Sequence, residues 1–162
     1  MKGLPKGAKI AYTTLSPDEK KLAFTNTTDK GVELWVLDLA NATATRLVAD
    51  QLNANLGMPY LWYKDSKNLL VKTIPQDKPK LIDSSKDLPT GPIVSTSDGK
   101  VSQNRTYQDL LKNPQDEINF ETLTKAELKK VNLNGTLTEV KATDLYTGMS
   151  FSPDGKYLTL TS

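Results

Sequence analysis

The chain has 162 residues, a formal net charge of +2 and 37% hydrophobic residues, the make-up of one soluble domain with a modest core. It contains no cysteine and no histidine, which excludes disulfides, thiol nucleophiles, Cys/His zinc sites and any Ser-His-Asp triad within it. Carboxylate or lysine chemistry is left open by that count.

Apolar runs such as Leu69-Leu70-Val71 are too short to span a membrane. The opening Met1-Lys2-Gly3-Leu4-Pro5 has no apolar h-region, so no signal peptide is expected in this chain. Lys and Arg are scattered among Asp and Glu, which argues against a nucleic-acid partner. The run from Lys125 to Lys130 contains Glu127 and reads as a solvated strand face.

In chain order, the first signal is a turn. Leu15-Ser16-Pro17-Asp18-Glu19-Lys20 precedes the β-rich Lys21-Leu22-Ala23-Phe24. The same design returns at Trp62-Tyr63-Lys64-Asp65-Ser66-Lys67 before Leu69-Leu70-Val71, and at Phe151-Ser152-Pro153-Asp154-Gly155-Lys156 before Leu158-Thr159-Leu160. Pro17 and Pro153 preset φ, Asp18 and Asp154 can bond the local backbone, and Gly155 accepts a positive φ. Each copy predicts a hairpin whose first strand ends on a buried apolar residue: Leu15, Trp62 or Phe151.

Two further strands follow each of the first two hairpins. Glu33 to Leu39 parallels Glu127 to Leu133, and after the turns at Ala40-Asn41 and Asn134-Gly135 come Thr45 to Val48 and Leu137 to Val140. Trp35 is expected in packing between sheets. Four antiparallel strands per repeat predict an all-β fold, a partial β-propeller of about 2.4 blades. Blade 1 is expected over 8–49, blade 2 over 57–142, and the first hairpin of blade 3 over 146–162. The spacing supports this: Leu15 and Trp62 stand 47 positions apart, within the propeller range. Trp62 and Phe151 stand 89 apart, and the surplus falls between the second and third strands of blade 2.

That surplus is an insertion over 75–124, expected as loop with a short helix. Residues 76–92 read as extended loop. Ile93-Val94-Ser95 reads as a short strand before a turn at Ser97-Asp98-Gly99-Lys100. A short helix is expected from Thr106, with Asp109 at its third position and Pro114 as its stop. Asp116 to Thr124 is expected to lead back to the blade.

The repeated Ser-Pro-Asp-Gly-Lys-type hairpin resembles the propeller repeats of TolB-like proteins and of prolyl oligopeptidase-family serine peptidases. The insertion narrows this. Ser97-Asp98-Gly99-Lys100 followed by Gln103-Asn104-Arg105-Thr106-Tyr107-Gln108-Asp109-Leu110-Leu111-Lys112 resembles a propeller segment of the exported bacterial, glutamyl-endopeptidase-like branch. The resemblance covers essentially the whole chain. It implies a larger, periplasmic or otherwise exported parent. Such a parent carries an α/β-hydrolase domain, its Ser-Asp-His triad lies outside this chain, and its propeller gates access and helps bind peptide substrate. The chain holds no Gly-x-Ser-x-Gly nucleophile elbow and is expected not to be an enzyme by itself. The alternative is a TolB-like or WD-repeat-like interaction propeller with no enzyme attached.

Under the peptidase reading, Arg105, Tyr107, Gln108 and Asp109 are candidates for substrate or domain contact, with Arg105 able to clamp a carboxylate bidentately. The simpler alternative pairs Arg105 with Asp109 and packs the segment on its blade. No catalytic residue, cofactor or metal is assigned: Asp98-Gly99 and Asp154-Gly155 lack the later bidentate Glu of a calcium loop. Asp116 and Glu117, on an extended strand, point apart and make a poor acid/base pair. The sequons at Asn26, Asn41, Asn104 and Asn134 read as chance. Open strand edges and apolar blade faces predict self-association.

Overall fold

The computed structural model describes residues 2–83, 99, 111 and 113–162. Strands β1 (Lys9–Leu15), β2 (Lys21–Thr27), β3 (Val32–Asp38) and β4 (Thr43–Leu52) form one antiparallel meander. A second meander contains β5 (Tyr60–Trp62), β6 (Asn68–Thr73), β7 (Ala126–Asn132) and β8 (Leu137–Asp144). It meets the first at a single ladder position, Leu52 opposite Thr73. β9 (Gly148–Phe151) and β10 (Leu158–Thr161) make a separate hairpin. This is the all-β partial propeller expected, four-stranded blades in series.

The three hairpins share one geometry. The backbone N–H groups of Ser16, Tyr63 and Ser152 each donate to the carbonyl five residues on, at 2.9 Å. The fifth repeat position is left-handed in every copy: Glu19 has φ 55°, Ser66 55° and Gly155 75°. In the outer two copies the serine donates to the aspartate at 2.6 Å, and its Oγ accepts a backbone N–H at 3.0 Å. Tyr63 cannot do this in the middle copy. There Asn68 compensates, bonding Asp65 through both its backbone and its side-chain amide. Only Gly155 meets the positive φ without a Cβ penalty. Glu19→Gly is therefore expected to stabilise the chain by about 0.5–1 kcal/mol, the relieved strain less the added freedom of glycine in the unfolded chain. Urea unfolding with an unchanged m-value measures it.

Strand alternation sorts the core into three apolar clusters. Ala23, Leu34 and Val36 face Leu69, Val71 and Val131, which closes the seam between blades 1 and 2. Leu70 and Leu128 point the other way and pack with Tyr146, Phe151, Leu158 and Leu160 at the seam with the third hairpin. Phe24, Trp35 and Leu37 line the far face of blade 1, where Leu4 packs on them. β3 and β6 are buried along almost their whole length because both faces of each are covered.

The aligned apolar residues at the ends of the first strands differ in burial. Trp62 packs on the first cluster and Phe151 on the third, each partly buried. Leu15 was expected inside and is 52% exposed. The neighbours of Trp62 come from blade 1 and those of Phe151 from blade 2. Leu15 has no such neighbouring blade among the described residues. Tyr60 fastens the first seam: its hydroxyl reaches the carbonyls of Tyr12 and Ala23 and accepts from Thr14 Oγ1 at 3.1 Å. Burial pushes this phenol up to about 12.

Candidate functional site

The insertion leaves the sheet at the end of β6 and returns at the start of β7. Its described part is built around one helix, α1 (Pro114–Thr124). This corrects the sequence reading twice. Pro114 opens a helix rather than ending one, and Asp116 and Glu117, read as extended, lie in that helix. Leu111 and Asn113, the described residues at the end of the expected helix, are not helical. Proline suits the first helical turn because its missing N–H has no partner there in any case. Asn113 is the N-cap: its backbone is extended and its Oδ1 accepts from Asp116 N at 2.9 Å. Asp116 and Glu117 then lie in the first turn, where the helix dipole favours anions. Asn113→Ala is expected to cost about 1 kcal/mol and to speed amide exchange in α1 first.

Side-chain amides hold the helix in place. Asn119 donates to the Ile82 carbonyl at 2.9 Å and accepts from Ile82 N at 2.8 Å. At the other end Asn53 Nδ2 donates to the carbonyls of Leu123 and Lys125, and Asn55 Nδ2 to Leu123. These satisfy carbonyls that the helix end leaves without partners. Glu121 pairs with Lys125 at 2.9 Å. Thr122 and Thr124 are the buried residues of the helix, while Ile118 and Phe120 are 51% and 42% exposed.

Between α1 and residues 75–79 lies a groove of about 340 Å³. Pro75, Pro79 and Ile118 give it apolar walls; Asp77, Lys78, Glu121 and Lys125 give it charges of both signs; Thr122 and Thr143 complete the lining. Its volume lies near the lower end of the range for ligand pockets, about 300–1,000 Å³. Sequence reasoning missed it, although Asn113-Pro114-x-Asp116 carried the signal for the helix that forms its wall. Arg105, Tyr107, Gln108 and Asp109, the candidate contact residues, lie outside the described residues, as do Ile93 to Ser95 and the alternative Arg105–Asp109 pair.

No group of three or more carboxylates that could hold a metal occurs among the described residues. Glu33 is a buried carboxylate, but its oxygens already accept from Asn26 Nδ2 at 2.9 Å, Trp35 Nε1 at 2.8 Å and Arg46 Nη1 at 2.8 Å. Desolvation raises its pKa, yet the three donors outweigh that and hold the carboxyl below its ordinary value. An anion so committed has little basicity to offer a substrate. Asp116 and Glu117, adjacent on a helix, also diverge, and neither is a placed acid/base pair.

No family model matches the chain. It is 36% identical over 170 residues to the probable glutamyl endopeptidase, chloroplastic, of Arabidopsis thaliana, covering 99% of this chain and 17% of that protein. It is 33% identical over 171 residues to the protein of the same description from Oryza sativa subsp. japonica, covering 99% of this chain and 18% of that one. The chain thus spans less than a fifth of the length of these relatives. Among solved structures, an acylaminoacyl peptidase in complex with Z-Gly-Gly-Phe-chloromethyl ketone aligns with a TM-score of 0.51 at 16% identity, over 93% of this chain and 20% of that one. That likeness is one of fold. The chain is a partial β-propeller, similar along almost its whole length to a portion of the two probable glutamyl endopeptidases.

Proposed function

We propose that the chain is the non-catalytic propeller portion of a larger serine peptidase, in which it gates access and helps bind peptide substrate. The observation that supports this best is the match over 99% of the chain to only 17% of a glutamyl endopeptidase. The absence of histidine agrees, because the base of a serine triad then has to come from another part of the parent. The groove beside α1 is the described surface that suits a peptide. Its partners in the parent are the peptide and an α/β-hydrolase domain. The same reading has the parent working outside the cytoplasm, by its resemblance to exported bacterial peptidases; fractionation of the native host checks that.

The test compares the 162-residue chain with the product of the whole reading frame that contains it. The whole product should cleave peptides and be inactivated by a serine-directed fluorophosphonate; the chain alone should neither cleave nor be labelled. A reading frame that runs into more blades with no nucleophile elbow would sink the proposal and favour an interaction propeller.

A further inference from the structure

Lys72 stands out among the lysines. It lies in the middle of the molecule on β6 and is 2% exposed. Its ammonium is held by backbone carbonyls: Nζ donates to the Leu56 carbonyl and to the Tyr146 carbonyl at 3.3 Å. Burial lowers its pKa for want of solvation. A buried cation of this kind is costly, so its acceptors matter.

Those two acceptors belong to different parts of the chain. Leu56 lies in the crossover from β4 to β5, and Tyr146 in the crossover from β8 to β9. The backbone of Lys72 grips the first crossover as well, through Lys72 N to the Pro59 carbonyl at 2.9 Å and Asn53 N to the Lys72 carbonyl at 2.8 Å. The second crossover continues into the third hairpin, where Thr147 N donates to the Thr161 carbonyl at 2.8 Å. The first crossover holds the end of α1 through Asn53 and Asn55. One ammonium therefore stands where the inserted helix, blade 2 and the seam to the third hairpin meet.

We propose that Lys72 is a latch: it ties the two crossovers together, and through Asn53 and Asn55 it makes α1 and the seam between blade 2 and the third hairpin open and close as one unit. The insertion is thereby keyed to the next blade rather than to the one that carries it alone. This stands on the geometry and is independent of the peptidase reading.

Hydrogen exchange on the full chain tests it. Lys72→Met keeps an unbranched side chain, one heavy atom shorter, and removes the ammonium. In that variant, peptides covering 53–58, 122–125 and 145–148 should exchange about tenfold faster or more, with β2 and β3 unchanged. Faster exchange confined to residues next to 72, or in one crossover without the other, overturns the latch. A wild-type measurement covers the case in which the variant does not fold. Under sub-denaturing guanidinium the three segments should share one opening free energy, below that of β2 and β3. Three separate openings overturn the proposal.

Discussion

Glu33→Ala is expected to destabilise the chain by about 3 kcal/mol, because it strips a buried acceptor from three donors at once. Trp35 Nε1 and Asn26 Nδ2 are left inside without a partner, while Arg46, whose side chain is 52% exposed, can turn to water. The pH dependence has a definite sign. The folded-state pKa of Glu33 lies below its ordinary value of 4.5, so its contribution is complete above that value. It is lost as the pH falls through the folded-state value. Glu33→Gln should therefore flatten the acid limb of the stability curve and leave its slope near neutrality unchanged. Some acid sensitivity remains in this variant, because Asp65 is also held below its ordinary value. Burial raises the Asp65 pKa, and bonds from Lys67 N and Asn68 more than offset that. Urea midpoints measured at intervals from pH 3 to about 7 decide it. An acid limb identical to that of the wild type would mean that Glu33 is not ionised as the geometry requires.

Gly57→Ala is expected to cost about 2–4 kcal/mol, part from a left-handed backbone and part from steric conflict. Gly57 has φ +63°, and a Cβ there would stand 2.7 Å from the Thr147 carbonyl oxygen. Backbone atoms on both sides cannot yield cheaply, because the two crossovers are clamped at Lys72. Gly7 is the control. It also has a positive φ, +74°, but a Cβ there meets nothing within 4 Å. Gly7→Ala should show only the backbone part, about 1 kcal/mol. The difference between the two variants reports the close approach of the crossovers, and thermal unfolding of both, with the wild type, measures it. Equal losses would show that the crossovers do not touch as described.

Much of the fold is legible in the chain because the propeller repeat is local. A turn of Ser-Pro-Asp type, an alternating strand and a polar turn are each encoded within a few residues. β2, β3, β6 and β7 follow from them, and so does the offset between blades. The helix is a different case. Asn113-Pro114-x-Asp116 is a sound start signal, but the same proline also reads as a stop for the segment before it. Helix geometry decides between the two, since Pro is free of penalty only in the first turn. The candidate site was less legible than the fold. Its groove arises where residues 75–79 meet a helix about forty positions later, and no local pattern records that approach.

By itself, then, the sequence determined the strands, the turns, the serial blades and the exclusion of histidine and cysteine chemistry. Only the tertiary structure decided where the polar groups went. Nothing in the order of residues sets Lys72 apart; its partners, 16 and 74 positions away, enclose it only in the fold. Nor does anything there mark Glu33 as buried; Arg46 and Trp35 close on it only in the fold. Hairpins depend on neighbours in the chain, and periodicity records those. Burial of a charge depends on neighbours in space, which the order of residues alone does not contain.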